Sequence, residues 1–373
     1  MKIIYIADAR IPTEKAHGYQ ICKMCEEFSN AGTEIELWIP ERNNKITDSA
    51  FGYYNIKNNF KIKKLKSFDF SKYDKFLRSF GYYMQSLFFL IKLLFIKLNK
   101  DTTIYTRDTG VAWLFSIKNY KVVYEMHSYP ETKKYLFCFF IRRVNKIVVI
   151  SSGLKNVLLK NNILEKNILI AYDGVDLEKF NINISKAEAR KKLNLPEDTK
   201  IFLYAGLFDE WKGYLTLLQA TKFINKKEAQ LVMIGGDKDQ VKKLKKEYPN
   251  VVFLGYLPYK TLPINQKVAD VLILPNSGKV AISKFYTSPL KLFSYMSSQR
   301  PIVASDLPSL REILNEDNAI LVKPDDPKEL AKKIKIILSD QELSDKISEQ
   351  AFRDVMNYTW QKRTNNILSF IKK

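Results

Sequence analysis

Ile201-Phe202-Leu203-Tyr204-Ala205-Gly206-Leu207-Phe208-Asp209-Glu210-Trp211-Lys212-Gly213 decides how the chain is read. A short apolar run rich in β-branched and aromatic residues stops at a glycine, passes through a loop, and reaches a lysine at a loop-to-helix junction. Strand, turn, helix is the unit from which parallel sheets are built. Downstream the same rhythm returns at Gln230 to Ile234, Val251 to Leu254, Val271 to Leu274, Ile302 to Ala304 and Ala319 to Val322. Upstream it runs through Lys2 to Ala7, Glu34 to Ile39, Thr103 to Tyr105, Lys121 to Met126, Lys146 to Ile150 and Ile168 to Ala171. Between the two series lies a polar, Lys-rich stretch from Asn181 to Lys200. The chain therefore reads as α/β, with two doubly wound halves. Open α/β sheets bind ligands outside the carboxyl ends of their strands, so the turns after the strands, and a cleft between two such halves, are where to search.

Bulk composition agrees with two domains. The 373 residues exceed one ordinary core, and 46% apolar content suffices to bury two. The apolar run at Met1 to Ala7 meets Asp8 at once, which is not the pattern of a secretory leader. Three cysteines make no disulfide framework, and Cys22 with Cys25 is one Cys-x-x-Cys in a helical pattern, read as buried thiols. A formal charge of +21 suits nucleic acid, an anionic membrane or an anionic substrate, but no zinc-finger spacing, basic zipper or Arg-rich arm accompanies it, so nucleic acid is not expected. Tyr82 to Leu98 is strongly apolar but carries Lys92 and Lys97 and is short for a span. It reads as a core helix of the first half, with an amphipathic helix on a membrane interface as the alternative.

Both histidines follow expected strands of the first half: His17, beside Gly18, and His127 after Val123 to Met126. A glycine lets backbone approach a ligand closely, and a histidine can hydrogen-bond hydroxyls or polarise a leaving phosphate. Turn-capping histidines are the structural alternative. Arg107 follows the strand at Thr103, placed either for an anionic acceptor or for an ion pair with Asp108. In the second half Lys212, with exposed helix amides, forms a diphosphate seat. Ser288 reads as an N-cap with Pro289 as first helical residue, so the helix through Leu290, Lys291 and Ser294 starts at a second phosphate-binding candidate.

Taken in order, these pieces resemble retaining glycosyltransferases of family 4, with the GT-B architecture of two facing Rossmann-like domains. The resemblance is carried by Pro12 to Gly18, Ile150 to Leu154, Asp173 to Phe180, Gly206 to Gly213, Ala269 to Asn276, Ser288 to Met296 and Arg300 to Asp306. It implies an acceptor-binding domain over 1–178, a donor-binding domain over 179–355, and a closing helix over 356–373 that packs back on the N-terminal half or stays with the second. It further implies that Lys212 grips the donor diphosphate, with Gly206, Asn276 and Ser288 to Lys291 around sugar and phosphates and Gly235, Gly236 and Leu257 near the nucleoside. His127 matches the family histidine near the reacting centre; His17 and Gly18 lie between acceptor and donor. Two family glutamates are replaced by Tyr286 and Ser294, and Leu207 stands where an arginine is common. The implied reaction moves a hexosyl unit from a UDP- or GDP-sugar to a glycan or lipid-linked glycan, without a metal or other cofactor, in polysaccharide or glycoconjugate synthesis. A cytoplasmic protein peripheral to the inner face of an anionic membrane is expected. The alternative from another class is a catalytically silent GT-B scaffold subunit; a GT-B epimerase needs cleft acids that the sequence does not supply.

Overall fold

In the computed structural model of the chain, residues 1–69 and 74–373 are described, with the side chains of 74–80 and of Tyr82 outside the description. The chain forms two compact units. Unit 1 comprises Met1–Ile150, Leu154–Ala171 and Trp360–Lys373; unit 2 comprises Ser151–Gly153 and Tyr172–Thr359.

Unit 1 is a seven-stranded parallel sheet of β1 (Lys2–Ile6), β2 (Glu34–Pro40), β3 (Lys61–Leu65), β4 (Thr103–Thr106), β5 (Lys121–Met126), β6 (Lys146–Val149) and β7 (Ile168–Ile170). Its spatial order is β3-β2-β1-β4-β5-β6-β7. The intervening helices are α1 (Ala16–Asn30), α2 (Ala50–Tyr54), α3 (Asp74–Leu94), α4 (Thr109–Ile117), α5 (Lys134–Ile141) and α6 (Ser152–Lys160). Right-handed crossovers send α1 and α2 to one face and α3, α4 and α5 to the other, because the strand order runs outward in opposite directions from the β1–β4 boundary. Central strands covered on both faces are continuously apolar, as in Ile3 to Ile6.

Unit 2 repeats the plan with six strands: β8 (Lys200–Ala205), β9 (Ala229–Ile234), β10 (Val252–Gly255), β11 (Val271–Leu274), β12 (Ile302–Ser305) and β13 (Ile320–Val322), in the order β10-β9-β8-β11-β12-β13. Its helices are α7 (Lys186–Lys192), α8 (Tyr214–Ala220), α9 (Lys238–Glu247), α10 (Leu262–Lys267), α11 (Leu290–Ser297), α12 (Pro308–Arg311), α13 (Pro327–Ser339) and α14 (Gln341–Val355). Local sequence sets their starts. Ser185 and Glu188 form a reciprocal capping box on α7, and Asp326 accepts the Lys328 and Glu329 amides ahead of Pro327 on α13.

Two features differ from the sequence reading, and a third is one that the sequence leaves open. β3 has no counterpart among the expected strands: Lys61-Ile62-Lys63-Lys64-Leu65 is a lysine-studded edge strand whose charges mask the alternation. The division between units falls at Ala171 and Tyr172, so Asp173 to Asp176 lies in unit 2, where the Val175 amide donates to the Tyr358 carbonyl at 2.9 Å. The last helix, α15 (Trp360–Lys372), counts with unit 1. There Trp360 is buried edge-on to Tyr19 at 6.2 Å, and Arg363, Thr364 and Ile367 of the same face are buried too.

Trp360→Ala is expected to destabilise unit 1 by about 3–5 kcal/mol, as for truncation of a large buried aromatic. In urea melts followed by unit-specific probes, the unit 1 midpoint falls while that of unit 2 stays in place.

Candidate functional site

Unit 2 reverses its strand order between β8 and β11. Neighbouring chains leave that boundary on opposite faces of the sheet, which opens a crevice at the carboxyl ends. The loop after β8 carries Gly206 and Lys212, and the loop after β11 carries Asn276. The Ser277 amide donates to the Trp211 carbonyl at 3.0 Å and binds the two loops together. After β9, Gly235 (φ 115°) and Gly236 follow; a Cβ on Gly235 would stand 2.0 Å from the Gly206 carbonyl oxygen, so only glycine fits there. Leu257, beyond β10, is partly buried against the core.

Two side chains at this boundary are buried without partners. Asn276 is fully buried, and neither of its amide atoms has a hydrogen-bond partner. The Lys291 Nζ is closed off from solvent, has no hydrogen bond, and lies 4.2 Å from the centroid of the Tyr204 ring. Burial, reinforced by the neighbouring Lys212 charge, pushes the Lys291 amine well below its ordinary value, against the opposing pull of Asp209. Lys212 itself reaches Asp209 Oδ2 at 2.7 Å. Buried polar groups are normally satisfied, so unpartnered ones grouped at a strand-order reversal mark a place where a ligand supplies the missing bonds.

The helix after this boundary starts differently from the sequence reading. α11 begins at Leu290 with Pro289 as its extended N-cap, not with Ser288 as cap. Ser288 Oγ instead accepts the Asp173 amide at 3.2 Å, so it fastens the preceding loop. Tyr295 of α11 accepts the Ala205 amide at 2.9 Å and fixes the helix against the end of β8. Ser294 is also reassigned: its hydroxyl accepts from Gln266 Nε2 at 2.9 Å and donates to the Lys291 carbonyl at 3.0 Å, inside the core.

Unit 1 reverses its strand order between β1 and β4; there the first turn of α1 carries His17 and Gly18, and Arg107 directly follows β4. Gly18 lies within α1, and its missing side chain makes room for the protein itself: a Cβ would stand 2.1 Å from Tyr54 Oη, which bridges the Thr13 amide and carbonyl. Arg107 donates to Gln20 Oε1 at 2.8 Å; the Asp108 carboxylate accepts the Asp8 amide instead of pairing with it. Burial and the neighbouring Asp8 raise Asp108 to about 6. Burial, then Arg107 and Lys15, lower the half-buried His17 to about 4.

His127 follows β5 and bonds through Nε2 to Glu125 Oε1 at 2.6 Å. Glu125 is fully buried in the strand and also receives Arg363 Nη2 of α15 at 2.9 Å and the Tyr105 hydroxyl. Burial alone would raise the Glu125 carboxyl; Arg363, His127 and Arg107 outweigh it and hold it well below the usual range. An ionised carboxylate only accepts, so the His127 proton sits on Nε2 and Nδ1 is left as an acceptor. Burial and Arg107 push His127 down to about 3 despite Glu125, so the ring is neutral at pH 7.

Glu125 and Arg363 were not singled out in the sequence, although each carried a signal. One is an acid inside an apolar strand; the other is an arginine three residues after Trp360 and four before Ile367, on the apolar stripe of its helix. Lys291 was read through its backbone amide alone. Cys22 and Cys25 are buried in α1, where burial raises both thiols. Among the described residues, no group of three or more His, Cys, Asp or Glu side chains could hold a metal ion.

Two doubly wound parallel units, with glycines and lysines at the strand-order reversal of one and His17 and Arg107 at that of the other, define a GT-B α/β protein. Residues 185–354, most of unit 2, match the family of Glycosyl transferases group 1. An uncharacterized glycosyltransferase of Methanocaldococcus jannaschii is 29% identical over 227 residues, 58% of this chain and 56% of that protein. The phosphatidyl-myo-inositol mannosyltransferase of Mycobacterium tuberculosis is 28% identical over 163 residues, 42% of this chain and 40% of that one. The chain thus spans about half the length of the curated relatives it matches. The crystal structure of Anabaena HepE in complex with UDP and glucose shares the fold over 100% of both chains, with a TM-score of 0.76 at 14% identity.

Arg363→Met leaves the Glu125 carboxylate buried without its cation and is expected to cost about 3–5 kcal/mol in urea unfolding; adding Glu125→Gln recovers most of it. Protonation gives a second readout. The two histidines bind protons in the unfolded chain below about 6.5 but in the fold only near 4 and 3, so the stability they contribute is lost as pH falls from about 6.5. Asp108 acts oppositely, losing its contribution as pH rises through about 6. The thermal midpoint of His127→Gln therefore drops less between neutral pH and pH 4.5 than that of the parent chain.

Proposed function

We propose that the chain is a retaining glycosyltransferase that moves a hexosyl unit from a nucleoside diphosphate sugar, UDP- or GDP-linked, to a glycan or lipid-linked glycan in cell-surface polysaccharide or glycoconjugate synthesis. The observation that carries this reading is the pair of buried, unpartnered groups, Asn276 and Lys291, beside Lys212 where unit 2 reverses its strand order. The relatedness of unit 2 to the group 1 glycosyltransferases supports it.

In this reading the diphosphate lies over Lys212, Lys291 and the first-turn amides of α11, whose unpaired N–H groups favour an anion. Gly206, Gly235 and Gly236 floor the pocket without side chains, and Leu257 borders the nucleoside. Catalysis is electrostatic and needs no metal: as the bond from the anomeric carbon to the diphosphate breaks, the lysines and amides stabilise the charge left on oxygen. The leaving phosphate oxygen takes the proton of the attacking acceptor hydroxyl, so no side-chain base is required. His127 offers Nδ1 as an acceptor to a sugar hydroxyl at the reacting centre, while His17, Gly18 and Arg107 serve the acceptor. The protein works in the cytoplasm at the inner face of the cell membrane, where lipid-linked acceptors lie. Tyr286 and Ser294 in place of the family glutamates favour the second reading, a silent scaffold subunit, because Ser294 is turned inward to Gln266.

Calorimetry with UDP, GDP, ADP and dTDP tests the site. One nucleotide is expected to bind, and Lys212→Ala to weaken it at least about tenfold, the effect of losing one charge-assisted contact. Burial and the neighbouring Lys212 charge push the Lys291 amine well below its ordinary value, and a diphosphate against it favours the charged form, so binding is expected to take up protons. That uptake, read from the buffer dependence of the heat, disappears in Lys291→Met. Failure of all four nucleotides to bind at millimolar concentration establishes the scaffold reading instead.

A further inference from the structure

Among the described residues no helix is long and apolar enough to cross a membrane, yet α3 is apolar on two faces. One face meets the core through Gln85, Phe89 and Leu93, all buried. The opposite face carries Tyr83, Leu87, Ile91 and Leu94 at spacings of four, four and three, all exposed, and Phe95 continues it at 78% exposure. A helix covered on one side by its own domain has an ordinary reason to be amphipathic; α3 instead turns a second apolar stripe to solvent. The sequence reading set core helix against membrane helix as alternatives. In the structure one face of the helix belongs to the core and the opposite face is exposed.

A second stripe lies close by. α3 and α5 both pack against α4 on the same side of the unit 1 sheet. On α5, Tyr135 is 93% exposed, and Leu136 and Phe139 share its outward arc. The inner residues of α5 account for its folding: Phe140 packs on Trp113 of α4 at 5.6 Å, and Phe137 on Tyr124 of β5 at 6.2 Å. Tyr135 and Leu136 stand outside that packing, and Phe139, 61% exposed, meets the Phe140 ring edge-on at 5.9 Å.

The charges around both stripes are basic. Lys92 and Lys97 flank the end of α3, and Lys133, Lys134, Arg142 and Arg143 bracket α5, all of them exposed. We propose that the outer faces of α3 and α5 dock unit 1 onto an anionic lipid surface, with the apolar side chains in the acyl boundary and these cations among the headgroups. A second copy of the chain is a poor occupant, since like-charged rims on a chain of net charge +21 would be pressed together. An anionic bilayer complements both the apolar stripes and their rims. The inference deepens the reading of a lipid-linked acceptor, but its evidence is the helix faces and not the donor site.

The test is flotation of the full chain with phosphatidylglycerol–phosphatidylcholine vesicles and with phosphatidylcholine alone. Binding is expected to the anionic vesicles and to weaken as salt rises. Leu87→Glu combined with Ile91→Glu, and separately Phe139→Glu, should each lower the partition coefficient at least about tenfold. Because these side chains already face water, the thermal midpoint should not move. Lys133→Glu with Lys134→Glu, which leaves the apolar stripes intact, should remove the preference for anionic lipid. Equal binding to neutral vesicles, or binding that survives the α3 and α5 substitutions, overturns the proposal. So does a concentration-dependent dimer that those substitutions abolish. Calorimetry with UDP and GDP on the same preparations separates this proposal from the transferase reading: nucleotide binding without vesicle binding removes only the docking face, and the reverse result only the donor site.

Discussion

Each sheet contains one boundary where strand order changes direction, β1 beside β4 in unit 1 and β8 beside β11 in unit 2. A right-handed crossover places its helix on the face dictated by the direction in which the next strand is added. At the boundary the two outgoing chains therefore separate, and no helix start can close over the carboxyl ends. The residues assigned to chemistry follow from that constraint. Gly206, Lys212 and Asn276 leave the sheet at one boundary, and Arg107 with the α1 loop at the other. The rest of each sheet is a scaffold whose continuous apolar strands are covered on both faces.

Charge burial separates the two units. In unit 1 the buried carboxylate of Glu125 is compensated by Arg363, His127 and Tyr105, so the ring of His127 is held in one tautomer by groups that are themselves fixed. That network is complete, and a complete network orients a side chain. In unit 2 the buried amine of Lys291 has an aromatic face below it and another cation beside it, with no hydrogen-bond acceptor. A buried amine without an acceptor is costly as it stands.

Surface chemistry obeys the same accounting. β3 sits at the edge of its sheet and carries three lysines in five residues, which discourage pairing with another chain's edge. The outward faces of α3 and α5 do the reverse, leaving aromatic and aliphatic side chains in water within basic rims.

Local sequence was enough to read the alternation of strands and helices, because central strands of a parallel sheet must be apolar without interruption, and to place Arg107, His127 and Lys212 after strands; His17, expected in a turn, lies in the first turn of α1. It also marked Gly235 and Gly236 at the end of β9. It did not show β3, whose edge position removes the need for an apolar pattern. Nor did it show that Ser288 and Ser294 turn their hydroxyls to Asp173 and Gln266: a serine at a helix start is equally able to cap, to bind a ligand or to fasten a neighbouring loop, and only the neighbours choose. Glu125 and Arg363 stand 238 residues apart in the chain, and nothing local announces that one compensates the other. Strand and helix identity follow from periodicities a few residues long. The pairing of buried charges depends on which distant segments share a desolvated space, and that is decided only when the chain has folded.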